Sequence, residues 1–356
     1  MSMNADIALR PGEPICFGCH APLTGTMAMF GEIAVAAQAL FAEVNAAGGV
    51  HGHRIELIVG DDRYDPAQTP AVVERLLAEH EVFGFLMCVG TPPHLTVIDR
   101  LAAANIPDLA VVTGASSMAD APLTNMCVAN VPYHSNGRAL GQHVRGLARV
   151  GTITYDTAFG RDWVAGFAAG LERAPERSRW LGPEEAIEPA VAAMQAEGME
   201  AVLAVVRPEQ EVAAILHAQR RGFRPRWLVG FVDGLTAMLG AAGEGVIGSH
   251  WLHMAEGSDS PAIAEHRALM ARQAPQIEVT GTSVGGQALA ELTVELVRRA
   301  GPCPTRARLL AALDGLDGRW RSPLMRVSPR KQPGRPVIFD EVALLRLTAE
   351  GWVEEE

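Results

Sequence analysis

Three short loops carry the residues best suited to holding a small charged molecule: Val89-Gly-Thr-Pro-Pro93, Thr113-Gly-Ala-Ser-Ser117 and Gly230-Phe-Val-Asp-Gly234. In the first, Thr91 is a good helix N-cap and the prolines suit a first helical turn, so a hydroxyl and free N–H groups would face an incoming anion. The same threonine would serve equally well as a cap for its own helix alone. The second loop offers several hydroxyls around Gly114, where backbone can approach a ligand closely. In the third, Asp233 suits pairing with an ammonium group, or capping of the helix that follows.

Other motifs lead nowhere chemically. Gly281-Thr-Ser-Val-Gly285 fits the GxSxG pattern of a nucleophile elbow, but such a hydrolase needs its histidine after the serine, and the last histidine here is His266. The stretch reads as a small-residue entry to a helix. His51-Gly-His53 and His250-Trp-Leu-His253 lack the helical context or neighbouring ligands of a metal site. Cys16 and Cys19 form a CxxC within a β-like run, where residues three apart face opposite ways. No GxGxxG follows a strand and no GxxxxGK[ST] occurs, so the usual dinucleotide and triphosphate cradles are missing. No catalytic residue, metal or cofactor is expected.

Alternating strands and helices must position the three loops. Strands are predicted at Ile15–His20, Arg54–Val59, Val82–Cys88 and Asp108–Val112, with helices at Met27–Ala46, Pro66–His80 and Pro93–Asn105 between them. A helix from about Pro132 to Arg149 opens a second series, with strands near Thr152–Tyr155, Ala201–Val206, Trp227–Gly230 and Val246–Trp251. Helices follow at Pro261–Arg272, Val284–Ala300 and Pro304–Leu313. Two β-like runs, Leu324–Val327 and Val337–Leu347, close the chain, and Arg173–Glu188, rich in charge and proline, reads as a loop. Such alternation selects parallel sheets covered by helices, and all three loops would lie at carboxyl ends of strands, where open α/β sheets take ligands.

At 356 residues, with 48% in the hydrophobic set and 20% charged, the chain suffices for two lobes. A net charge of −11 and only 5% aromatic residues exclude a phosphate-backbone or base-stacking surface, so no nucleic-acid partner is expected. No stretch approaches the roughly 20 apolar residues of a membrane span, and Met1–Pro14 shows no intact secretion signal. Five scattered cysteines do not suggest a disulfide framework.

The combination resembles a known family. Pro22-Leu-Thr-Gly25, the run Glu43-Val-Asn-Ala-Ala-Gly-Gly-Val-His-Gly52 and the downstream Asp61-Asp62 with Asp65-Pro66 are similar to those of type I periplasmic binding proteins, in the subgroup of leucine/isoleucine/valine- and amide-binding receptors. The resemblance weakens along the chain and is poorest at 173–188 and in the tail.

It implies two doubly wound parallel-sheet lobes joined by three crossovers, with a ligand shut between them: residues 1–132 plus 250–322, and 133–249 plus 323–356. Matched by motif, Thr91, Gly114 and Ser116 would hold an α-carboxylate and Asp233 an α-ammonium, while Phe30 and Phe159 would line the cleft. Tyr64 and Gly90 stand where some members carry a disulfide, Phe159 replaces a usual tyrosine, and the stretch between Phe167 and Ala201 is short. The implied function is that of a monomeric, non-catalytic receptor passing a small amino acid or related carboxylate to an ABC permease. A cytoplasmic amide or amino-acid sensor of the same fold, acting on a partner protein, is the alternative. The implied location is the periplasm if a signal has been removed, and the cytoplasm otherwise.

Overall fold

A computed structural model describes residues 8–182, 184–256 and 258–355. It divides into two compact units: the chain up to Asn130 together with Ser260–Phe339, and Val131–Asp259 together with the chain from Asp340 onward.

The first unit is built on a parallel sheet of β1 (Ile15–Ala21), β2 (Ile55–Asp61), β3 (Gly84–Leu86), β4 (Asp108–Val111) and β5 (Met126–Val128), in the order β2-β1-β3-β4-β5. Every residue of β1 is buried, as expected of a central parallel strand covered on both faces. It pairs with β2 from Ile15↔Ile55 to Ala21↔Asp61. Helix Glu32–Ala46 packs along helix Gly281–Ala300, burying Ala36 and Ala39 against Leu269 and Met270 of helix Pro261–Gln273.

The motif after helix Glu32–Ala46 is structural throughout. Asn45 accepts from Ile55 N–H and donates to the Ile55 carbonyl, both at 2.8 Å, which ties the helix end to the start of β2. Gly49 has φ +73, and a Cβ there would overlap the His53 carbonyl, so only glycine fits this turn. His53 is buried, with its ring nitrogens 2.7 Å from the Glu13 carbonyl and 2.9 Å from that of Pro302.

The second unit carries β6 (Val150–Tyr155), β7 (Arg177–Leu181), β8 (Ala201–Val205), β9 (Arg226–Val229), β10 (Ile247–His250), β11 (Ala343–Thr348) and β12 (Gly351–Glu354), in the order β12-β11-β10-β9-β8-β6-β7. The strands β6 to β10 run parallel, and β11 and β12 add an antiparallel edge. Ile153, Val202, Val229, Leu345 and Trp352 share its core.

Several expected elements differ. The stretch read as a loop at 173–188 contains edge strand β7, which opens on the polar run Arg177-Ser-Arg179 without the alternation that marks a strand; pairing along β6 and the Arg177–Glu197 ion pair hold it in place. Leu324–Val327 forms no strand, and only Ala343–Thr348 within the second β-like tail run lies in the second sheet, while Val337 bridges Val128 of the first unit. The helix expected at 93–105 is two short helices, Thr91–Leu95 and Ile98–Ala103, interrupted where the Thr96 hydroxyl donates to the Pro93 carbonyl at 2.6 Å. The unit boundaries also shift: residues 250–259 stay with the second unit, where His250 pairs with Ala343, and residues 323–339 stay with the first, tied by the Asp317–Arg330 and Val128–Val337 bridges.

Candidate functional site

In the first sheet the chain steps outward from β1 to β2 and then to the other side at β3, so the strand order reverses beside β1, the position where open α/β sheets take ligands. The loops after β1, β3 and β4 start there. Thr91 is not the N-cap of its helix: Gly90 is, with φ +99, and the Thr91 hydroxyl pairs instead with that of Thr113 at 2.6 Å. Thr113 Oγ also accepts from Ala115 N–H at 3.1 Å. Thr91 of the first loop and Thr113 of the second are thus joined directly, with buried Gly114 and half-buried Ser116 following in the same turn. Ser116 begins a four-residue helix after Ala115.

The supports of this edge are internal. Asp61 accepts from Leu23 N–H at 2.9 Å, from Arg63 N–H at 3.0 Å and from the Thr24 hydroxyl at 2.6 Å, which fixes the Pro22–Gly25 turn before half-buried Phe30. Burial works against that carboxylate, but these donors hold it below its ordinary range. The Tyr64 ring lies against Gly90, filling the space that a Cβ on Gly90 would enter. The positions matched to a family disulfide therefore meet through an aromatic ring.

The second sheet reverses beside β6, between β7 and β8. Phe159, from the helix after β6, is half-buried, with its ring 4.9 Å from Tyr133, 6.4 Å from Trp163 and 6.1 Å from Phe231. Phe231 lies in the loop that carries Asp233. Asp233 is half-buried, and the N-cap of the short helix that follows is Gly234, in the left-handed conformation. The structure thus groups Thr91, Gly114 and Ser116 within the first unit, and Phe159 with the Asp233 loop within the second.

Other groups escaped the sequence reading. Beneath the second edge, Glu211 is fully buried; its Oε1 accepts from Gly230 N–H at 3.2 Å, while Oε2 has no hydrogen-bond partner among the described residues. Burial pushes its carboxyl well above the usual range, against the pull of backbone N–H groups. Nothing in its helical spacing distinguishes it from a solvated helix acid. Beneath the first edge, a buried chain runs from the Thr69 hydroxyl to Asp62 at 3.0 Å, Asp62 to His20 at 2.8 Å, His20 to His94 at 2.9 Å and His94 to Asp108 at 2.7 Å. Burial disfavours a charged His94 imidazole, but Asp108 beside it outweighs that and holds it at about 10.

Ser283 of the GxSxG stretch sits in a capping box with Thr280, whose N–H it accepts at 3.0 Å. His266, though earlier in the chain, lies 2.9 Å from the Ser283 hydroxyl and 2.7 Å from Gln287. Ser283 and His266 are fully buried, the serine hydroxyl donates to the Thr280 carbonyl at 2.9 Å, and the pair acts as an internal brace at the helix entry.

Two doubly wound units with polar loops at their points of strand reversal define a ligand-binding α/β protein, and sequence comparison fixes its lineage. The profile of the periplasmic binding protein family matches residues 14–348, and the chain belongs to that family, one of substrate-binding proteins. The Leu/Ile/Val-binding protein homolog 2 of Brucella abortus is 44% identical over 66 residues, a match spanning 18% of this chain and 18% of that protein. A branched-chain amino acid ABC transporter protein from Thermus thermophilus, solved with valine, is 19% identical with a TM-score of 0.82, covering 97% of this chain and 96% of that one. A solute-binding protein from R. palustris, solved with benzoate, is 19% identical with a TM-score of 0.76, covering 96% and 95%. These two share the type I periplasmic binding fold with this chain. No helix among the described residues is long and apolar enough to cross a membrane.

Proposed function

We propose that this protein is the solute receptor of an ABC importer, binding a small amino acid or related carboxylate without catalysis and passing it to a membrane permease. The observation that carries the reading is the Thr91–Thr113 hydroxyl pair at 2.6 Å, released from capping duty and followed by Gly114 and Ser116. Hydroxyl and backbone donors at this edge suit a carboxylate, the group that valine and benzoate, held by the two structural relatives, have in common. Asp233 supplies a partner for an ammonium, which separates amino acids from plain acids. The rings around Phe159 suit an apolar side chain.

Each charge-assisted hydrogen bond contributes roughly 1.5–3 kcal/mol, so four or five suffice for micromolar binding once ordering costs of several kcal/mol are met. The test is isothermal calorimetry against branched-chain and aromatic amino acids, their amides and the matching plain carboxylates. Micromolar or tighter binding of a carboxylate-bearing solute supports the receptor; its absence across the panel, or turnover of an amide or ester, ends it.

A second reading, a cytoplasmic sensor of the same solutes, is favoured by the five cysteines, all free. Fractionation of the native cell separates the two: recovery with exported proteins supports the receptor, and recovery in the cytoplasm with a bound partner supports the sensor.

A further inference from the structure

We propose that His20, Cys88 and His94 form a buried site for one divalent ion of the zinc class, in the core of the first unit directly beneath the Val89–Pro93 loop. His20 lies near the end of β1, Cys88 follows β3, and His94 stands in the short helix after it. All three are fully buried, and their donor atoms lie within 4.8 Å of one another.

The outer nitrogens are already committed. His20 Nδ1 is 2.8 Å from Asp62 and His94 Nε2 is 2.7 Å from Asp108, so each ring is oriented by a buried carboxylate and its other nitrogen is turned inward. Carboxylates set behind imidazoles in this way are the usual outer partners of metal-binding histidines. Asp108 Oδ1 has no hydrogen-bond partner among the described residues, so part of this carboxylate's charge lies unanswered in the core.

Counting protons shows that a shared proton and a metal ion are the two cations that fit between the rings. If both imidazoles donate outward and both are neutral, His20 Nε2 and His94 Nδ1 confront each other with lone pairs. Their separation of 2.9 Å requires a proton or a metal ion between them. Exchange of that bridging proton and the Cys88 thiol proton for one divalent ion releases two protons to solvent and leaves the net charge of the site unchanged. Two imidazoles on a tetrahedral ion, with bonds of about 2 Å, have nitrogens about 3.3 Å and ring centres about 5 Å apart. The ring centroids here are 5.2 Å apart and the nitrogens 2.9 Å apart, so the nitrogens face each other along one line, and each ring must turn by about 35° to converge on a tetrahedral ion.

The sulfur selects the ion, because a thiolate beside two imidazoles favours thiophilic d-block metals over magnesium or calcium. Backbone strain falls at the same place: Met87, directly before Cys88, holds φ 55, a conformation that L side chains rarely adopt and that persists where surrounding structure demands it.

The test uses the whole chain, unfolded in chelator and refolded with zinc or cobalt(II). The expected result is one tightly held equivalent per chain, a thiolate-to-cobalt charge-transfer band, and X-ray absorption showing two imidazole nitrogens and at least one sulfur. Cys88→Ser should lose the band while Cys303→Ser, altered at the one exposed cysteine, keeps it. Sub-stoichiometric metal after refolding overturns the proposal and leaves the rings sharing only a proton; so does a band that survives Cys88→Ser. If Cys88→Ser fails to fold, the donor set of the unaltered protein decides, and a shell without sulfur is fatal. None of these outcomes depends on which solute the loops bind.

Discussion

The two units present different chemistry at equivalent places in their sheets. At the strand reversal of the first, hydroxyls and backbone groups are held by neighbours that leave them little freedom: Thr91 on Thr113, Asp61 across the Pro22–Gly25 turn, Tyr64 against Gly90. At the reversal of the second stand packed rings, Phe159 among Tyr133, Trp163 and Phe231, with Asp233 close by in sequence. The polar groups beneath differ in the same sense. The first unit buries a chain of two histidines and two aspartates linked side chain to side chain, whereas the second buries Glu211 held by backbone; in each, one carboxylate oxygen, Asp108 Oδ1 or Glu211 Oε2, has no partner among the described residues. On the proposed function, the hydroxyl and backbone donors of the first unit suit a carboxylate, and the rings of the second suit an apolar side chain.

The sharpest way to break the comparison is to disturb the rigid edge. Gly90→Ala must place a methyl group into the Tyr64 ring at φ +99, and we expect a loss of about 3 kcal/mol in stability, read as a lowered urea midpoint. A loss below about 1 kcal/mol would mean that this edge is pliant after all. At the other edge, Asp233→Ala is expected to weaken amino-acid binding more than ten-fold, about 2 kcal/mol, with a plain carboxylate of the same shape unaffected. Calorimetry showing equal losses for both solutes would remove the ammonium role. Thr91→Val should cost about 1.5 kcal/mol for amino acids and plain carboxylates alike, because the group it serves is the common one.

The smallest effect concerns Glu211 and has a defined sign. Its folded carboxyl titrates above the unfolded value of about 4.3, so the native state keeps a proton that the unfolded chain releases. Stability is therefore greatest below that unfolded value and falls as pH rises from there toward the folded one. Glu211→Gln keeps an acceptor for Gly230 N–H and should flatten that fall, measured as urea midpoints across the window. An unchanged slope would show that the carboxyl is not the group responsible.

Much of the scaffold was legible locally. The buried run Ile15–Ala21 and the alternation of strand and helix are short-range patterns and appear in the expected order, although the helix expected from Met27 starts at Glu32 and the one expected to Arg149 ends at His143. The edge strand Arg177–Leu181 was not legible, because its first three side chains are polar, only Leu181 reaches the core, and its hydrogen bonds come from β6. Thr91 was legible as a candidate by type and place, but its N-cap reading failed, since only folding brings Thr113, 22 residues on, within 2.6 Å.

The amino-acid order by itself settled the fold class, the family and the three loops at strand ends, because hydrophobic period and turn chemistry act between near neighbours. Tertiary structure alone decided which hydroxyls meet, that Tyr64 fills the space beside Gly90, and that His20, Cys88 and His94 converge in a dry core. The physical reason is that a parallel sheet aligns residues dozens of positions apart, and burial then turns ordinary side chains into strongly coupled neighbours.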